Sequence, residues 1–481
     1  MTRFPFDNTY ARLPQRFFTR TAPTPVAAPR LIRLNGALAT DLGLDPDALA
    51  GDDGVAVLAG NRVPENAEPI AAAYAGHQFG TFVPQLGDGR AVLLGEVVDR
   101  GGVRRDIQLK GAGRTPWSRG GDGRAALGPV LREYVVSEAM AALGIRTTRA
   151  LAAVTTGQPV IREEVVPGAV LTRVASSHIR VGTFQYFASR GDVDGVRLLA
   201  DHVIARHYPE TAAAERPYRA LLAAVADAQA ALIADWLLAG FIHGVMNTDN
   251  MSVVGETLDY GPCAFMDEYH PATVFSSIDR HGRYAYGNQP SIGAWNLTRL
   301  AECLLPLLSE DEEAAVVEAQ ETLAGYAPAF ERQYHAGLRR KLGLFTEQDG
   351  DPALAQELLQ TMSANKADFT NTFRALCDAA SGHSEIAGLG DWLPRWRQRL
   401  AQEPSEPVTR ATAMRRVNPA YIPRNHRVEA MIRAAVDDAD FRPFEELLTV
   451  LSRPYDDQPE FADYAQPPRE TERVLQTFCG T

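Results

Sequence analysis

Apolar residues in this 481-residue chain change their spacing near Gly191, and that change limits the folds open to it. Before it they alternate, or form short runs broken by turn residues, as strands do. After it they recur every three or four positions, as helices do. Residues 86–110 read as paired strands. Ala91-Val92-Leu93-Leu94 and Val97-Val98 are apolar, residues 99–102 supply a turn, and Ile107 and Leu109 alternate with Gln108 and Lys110. A helix is expected next: Pro129 suits its first turn, Val130, Leu131, Tyr134 and Val135 share a face, and Gly144 stops it. Strands are expected over residues 150–155 and 160–165, split by Gly157-Gln158-Pro159, and again over 169–174. Beyond Gly191, Leu221, Leu222, Val225, Leu232, Ile233, Trp236 and Leu237 mark a buried helix closed by Gly240 and Gly244. Residues 251–258 read as a short hairpin. The remainder reads as helical, with Pro-rich joints near residues 404–407 and 467–468.

Just past the buried helix comes His243-Gly244-Val245-Met246-Asn247-Thr248-Asp249-Asn250, and nine residues later Asp259-Tyr260-Gly261. This has the layout of a kinase catalytic loop and its metal-binding Asp-Phe-Gly. Val245 stands where a His-Gly-Asp loop would carry its base. Asn250 and Asp259 keep the oxygen donors that a hard cation such as Mg²⁺ takes together with phosphate. Asp249 is left free to accept a proton from a hydroxyl nucleophile. With the strand-rich half first, the expectation is an α+β, two-lobed protein-kinase-like fold. It would comprise an N-terminal extension over residues 1–60, a nucleotide-binding N-lobe over 61–190, and a helical C-lobe over 191–481 with a C-terminal extension.

The strand-rich half carries matching chemistry. Lys110 ends a strand, as a phosphate-pairing lysine does, and Glu133 lies on the next helix where its partner would be. Glu138 is the rival on that helix, but it lies about 140° further around, so only one of the two can face Lys110. Gly87-Asp88-Gly89-Arg90, Gly111-Ala112-Gly113-Arg114 and Ser118-Arg119-Gly120-Gly121-Asp122-Gly123-Arg124 put backbone N–H groups and guanidiniums where a phosphate could lie. Arg173 and Arg180 could both face a cleft if a helix begins at Ile179, and arginine forks suit phosphate oxygens.

Composition narrows the partners. The net charge of −12 argues against a general nucleic-acid binder, although residues 100–124 hold seven Arg or Lys against two Asp. No 18-residue apolar run occurs, since Asp227 and Asp235 interrupt residues 221–242, so no membrane span is expected. Residues 1–18 lack a signal-peptide core, and a cytoplasmic location is the expectation. Cys263, Cys303, Cys377 and Cys479 make neither a disulfide framework nor a zinc site.

Taken together, the chain resembles the selenoprotein O family, the pseudokinase-fold protein adenylyltransferases. The resemblance rests on Ala75-Gly76-His77-Gln78-Phe79-Gly80, Gln85-Leu86-Gly87-Asp88-Gly89-Arg90, Gln108-Leu109-Lys110-Gly111 and Arg132-Glu133-Tyr134. It continues through Leu171-Thr172-Arg173, His178-Ile179-Arg180-Val181-Gly182-Thr183-Phe184, the two loops above and Asn418-Pro419-Ala420-Tyr421-Ile422-Pro423-Arg424-Asn425-His426. It implies transfer of AMP from ATP to Ser, Thr or Tyr hydroxyls of proteins, with the nucleotide flipped so that its α-phosphate meets the nucleophile. By that resemblance Gly87, Gly89, Arg90, Lys110, Asp122, Gly123, Arg173 and Arg180 bind ATP, and Glu133 holds Lys110. Asn250 and Asp259 hold Mg²⁺ or Mn²⁺, and Asp249 accepts the proton. The family also carries a redox-active residue third from the C-terminus, here Cys479, and a Cys263–Cys479 bridge is the corresponding expectation.

Overall fold

In a computed structural model, residues 4–382 and 386–478 are described. The strand-rich part begins with β1 (Phe18–Arg20), β2 (Arg30–Leu34) and three short helices, α1 (Gly36–Asp41), α2 (Pro46–Ala50) and α3 (Asp52–Leu58). Then come β3 (Ile70–Ala72), β4 (Gly76–Gln78), β5 (Thr81–Val83), β6 (Ala91–Val98), β7 (Arg104–Lys110) and β8 (Ala125–Ala126). Helix α4 (Leu127–Ala142), β9 (Arg149–Ile161) and β10 (Val165–Ala175) complete it. The main sheet is antiparallel in the order β1-β3-β6-β7-β10-β9-β2, with β8 added on β10. β4 and β5 form a separate hairpin.

Alternation along the strands sorts the two faces. Val92, Leu94, Ile107, Leu109, Val154, Val170 and Val174 pack with Leu38, Leu49 and Leu58 of the short helices. On the opposite face Ala153, Ala169 and Leu171 pack on Leu131, Tyr134 and Val135 of α4. Gln108 and Lys110 alternate with Ile107 and Leu109, and so lie away from the short helices.

Two expectations give way here. β9 does not break at Gly157-Gln158-Pro159 but runs on to Ile161, and the turn falls at residues 162–164. Pro159 stands opposite Pro167, so the two residues without an N–H occupy one rung of the ladder. Gly157, at φ +67°, supplies a backbone conformation that other residues rarely take. Residues 251–258 do not pair with themselves either. Ser252 bridges Arg180 and Thr257 bridges Thr147, because the N–H groups of Val181, Val253 and Thr148 all find partners across this segment.

The helical part follows. It begins with α5 (Val181–Ala188), α6 (Val193–His207) and α7 (Pro217–Ala239), then β11 (Phe241–Ile242), which pairs with β12 (Ala264–Phe265). Gly240, left-handed at φ +73°, ends α7 as its position required. α7 is long and apolar enough to cross a membrane, yet 61% of its most apolar window is buried inside the protein. It packs against α8 (Gln289–Leu308), α9 (Glu312–Leu323) and α10 (Tyr326–Lys341). Beyond lie α11 (Asp351–Ala364), α12 (Phe369–Ala379), α13 (Trp392–Leu400) and α14 (Pro407–Arg415). The last two helices, α15 (Asn425–Asp437) and α16 (Arg442–Leu451), return to the strand-rich part. There Val428, Met431, Phe444 and Leu447 join the core around α4, and Arg132 pairs with Glu429 at 2.9 Å.

Arg424 fixes that return. Its side chain is 1% exposed and bridges Asp267, just after β12, to Asp368, which caps α12. Removing the guanidinium leaves two half-buried carboxylates without their cation. Arg424→Met is therefore expected to cost about 3 kcal/mol of stability, read as a lowered urea midpoint at unchanged slope.

Candidate active site

Lys110 closes β7, opposite Ala91 on β6 and Leu171 on β10. Its ammonium meets Glu133, one turn and a half into α4. The other oxygen of Glu133 takes the guanidinium of Arg173 on β10. Arg173 then donates to Asp259 at 2.6 Å. Arg180, the residue before α5, donates to the second oxygen of Asp259 at 3.1 Å and reaches Asp88 at 3.4 Å. The result is a row of alternating charge, buried except where Asp259 meets the cleft: Lys110, Glu133, Arg173, Asp259, Arg180, Asp88. The rival Glu138 points elsewhere, to Arg149, Asn35 and the N–H of Ala150.

These neighbours set the protonation states. Burial, then the charge of Arg173, lowers Lys110 to about 8. Burial alone would raise Asp259, but Arg173, Arg180 and Lys110 outweigh it and hold the carboxyl well below its usual range. Asp249 lies in the same cleft with the opposite balance. Burial dominates and raises it to about 6, against a single side-chain hydrogen bond from Gln78.

The loop that carries Asp249 is held from several sides. Burial keeps His243 neutral at ordinary pH. Its Nδ1 accepts from the N–H of Val245 at 3.3 Å, so Nε2 carries the proton and donates to the carbonyl of Leu258 at 3.0 Å. His243 thus ties the loop to the residue before Asp259. The carbonyl of Val245 accepts the Asn250 amide at 3.0 Å. Asp259 itself sits at φ +63°, a conformation a non-glycine residue holds only where its surroundings impose it.

Gly87, Gly89, Arg90, Lys110, Asp122, Gly123, Arg173, Arg180, Asp249, Asn250 and Asp259 all line one cleft of about 770 Å³, with Glu133 behind Lys110. That volume suits a nucleotide-sized ligand. The glycines serve packing as well as access. A side chain on Gly87, at φ +78°, would meet the Trp117 indole at 2.4 Å, and one on Gly123 would meet the Gly113 carbonyl at 2.0 Å. Asp122 is half exposed and clamped by Arg162 at 2.9 and 3.0 Å, which ties the glycine-rich segment to the β9–β10 turn.

A divalent cation fits two of these residues. Asp259 stays ionised, and the Asn250 amide turns its nitrogen to Val245, which leaves its oxygen free. Among the described residues no cluster of three or more His, Cys, Asp or Glu forms a metal cage. A cation shared with phosphate needs none. Cys263 is buried, and burial pushes its thiol up to about 11. Cys479 lies outside the described residues, and with it the expected Cys263–Cys479 bridge.

Sequence reasoning gave no role to Tyr74, Gln78, Trp117 and Arg162. Arg180 stacks on Tyr74 at 4.5 Å, and all four residues line the cleft. Gln78 stands within a stretch that carries the family resemblance, the one signal that pointed to it.

Comparison with known proteins gives the chain a class: nucleotidyltransferase. Residues 1–452 match the family model described as protein adenylyltransferase SelO. The chain is 68% identical to the protein nucleotidyltransferase YdiU of Bradyrhizobium sp. (strain BTAi1), over 99% of both chains. It is equally close to the protein of the same name from Methylorubrum populi, and 67% identical to that of Rhodopseudomonas palustris strain BisB5, each over 99% of both chains. The chain belongs to the SelO family and is an enzyme of the nucleotidyltransferase class.

Lys110 is expected to half-titrate near pH 8, measured as the pH dependence of its acylation by mass spectrometry. Glu133→Gln lowers that value further, because the main charge opposing the repulsion from Arg173 is then lost.

Proposed function

We propose that this enzyme transfers AMP from ATP to Ser, Thr or Tyr hydroxyls of other proteins, within a two-lobed fold of the protein-kinase type. Residues 61–190 form the nucleotide-binding lobe and residues 191–481 the helical one. The observation that carries the reading is the contrast between two carboxylates in one cleft. Asp259 is clamped by two arginines and stays charged, while Asp249 is buried beside one amide and raised to about 6. Environments that push two acids apart in this way assign one to charge stabilisation and the other to proton transfer.

In this reading Lys110, Arg90, Arg173 and Arg180 hold the triphosphate, and the glycine-rich segments at 87–90 and 120–124 border it. The nucleotide lies flipped relative to a kinase, with its α-phosphate at Asp249. The acceptor hydroxyl gives its proton to Asp249. Its oxygen forms a bond to the α-phosphorus, and the bond from that phosphorus to the bridging oxygen breaks. Pyrophosphate leaves with the electron pair. Lys110 and the arginines offset the charge that develops, and such stabilisation supplies most of the acceleration in transfers of this kind. Asn250 and Asp259 would hold Mg²⁺ or Mn²⁺, which supplies charge neutralisation on the phosphates.

An acceptor protein incubated with ATP labelled at the α or the γ phosphate separates the alternatives. Label arriving only from α supports AMP transfer. Label only from γ makes the enzyme a kinase with Asp249 as its base, and binding without transfer makes it a scaffold. Asp249→Asn is expected to lower transfer by about 10²–10⁴ while ATP still binds. Asp259→Ala should abolish transfer, and a wild-type rate in that variant would remove the site from consideration. A chelator should stop the reaction, and added Mg²⁺ or Mn²⁺ should restore it.

A further inference from the structure

The hairpin formed by β4 and β5 holds no residue given a part in the transfer above, yet it reaches 171 residues along the chain to touch the loop that carries Asp249. The residues on either side of Gln78 fix its place. The N–H of His77 donates to Thr248 Oγ1 at 2.6 Å, and the N–H of Phe79 donates to Asn247 Oδ1 at 3.0 Å. Both acceptors are buried and held again from the far side. Thr248 donates to Gln185 at 2.6 Å, and Asn247 also accepts the Tyr284 hydroxyl at 2.6 Å. Phe79 adopts φ +50° to make its bond. The hairpin is thus registered on the two residues that precede Asp249, and Gln78 Nε2 arrives 3.1 Å from Asp249 Oδ2.

The other oxygen of Asp249 is shut in. Oδ1 is buried with no hydrogen-bond partner, and it lies where a side chain on Gly76 would be, 2.6 Å from the Cβ position. One end of β4 therefore gives Oδ1 room, and its other end bonds Oδ2. Gln78 and Asp249 both line the cleft, whereas Gly76 does not. Oδ2 has a second lone pair beyond the one Gln78 uses.

We propose that Gln78 is a positioning residue for the transfer reaction: with Gly76 it sets the rotation of the Asp249 carboxylate, so that Oδ2 meets the acceptor hydroxyl. This rests on the reading of Asp249 as proton acceptor. A carboxylate without such a partner turns about its last bond, and misplacing a reacting group by about 1 Å costs on the order of a hundredfold in rate.

The test is a cycle of Gln78→Met, which keeps length and loses the donor, Gly76→Ala, whose Cβ displaces Oδ1, and the double variant. kcat for transfer and the Kd of ATP are measured for each, with Gln78→Ala repeating the measurement in case methionine obstructs the cleft. Each single change is expected to lower kcat by about tenfold to a hundredfold, with the Kd of ATP within about twofold of wild type. The double variant should be no slower than the slower single one, because both act through one carboxylate. Losses that multiply, or a Kd that rises in step with the fall in kcat, overturn the proposal. Wild-type transfer of γ label instead of α label overturns the adenylyl reading separately, and the same cycle then runs on that label.

Discussion

The buried row of charges from Lys110 to Asp88 is the constraint around which the rest of this protein is arranged. An ion taken out of water costs several kcal/mol unless opposite charge meets it at close range. Each member here is tolerable only because its neighbours arrive. They come from the end of β7, the middle of α4, β10, the segment after residue 250, the start of α5 and the loop before β6. None of these can be misplaced alone. The sheet fixes two members through register, since Arg173 lies opposite Gln108, two residues before Lys110. Helix α4 fixes the third, and the segments before β6, before α5 and after residue 250 supply the rest. The cleft is what remains on the open side of this row.

How much of this was legible in the sequence depends on separation along the chain. Lys110 and Glu133 are 23 residues apart, joined by one loop, the short β8 and part of a helix, and helical phase showed that only one of Glu133 and Glu138 could face the lysine. The helix over α7 and its glycine stop were legible for the same local reason. Local pattern failed where pairing is remote. The segment 251–258 looks like a hairpin because its turn residues do, but its edges are claimed by Arg180 and Thr147. The break expected at Gly157-Gln158-Pro159 disappears because Pro167, across the sheet, takes the rung opposite Pro159. No local pattern gave Gln78 or Trp117 a role. The contact of Gln78 with Asp249 and the packing of Trp117 on Gly87 exist only once the fold has formed.

The two acids of the cleft show how backbone and electrostatics divide the work. Asp259 is carried by a strained backbone and held by two guanidiniums, so its position is overdetermined and its charge secure. Asp249 is held by one amide and a space left by a glycine. Val245, which first looks like a lost base, gives the loop its carbonyl for Asn250 and its N–H for His243, and neither contact needs a particular side chain.

The packing of α15 and α16 on α4 has a consequence for synthesis. The helix that carries Glu133 completes its core only with residues as distant as Phe444 and Leu447. A ribosome adding about 5–20 residues per second takes roughly 15–60 s to travel from one to the other. During that interval the nascent chain holds an unfinished apolar face on α4. Until those last helices emerge, the growing chain is a client for whatever shields exposed apolar surface.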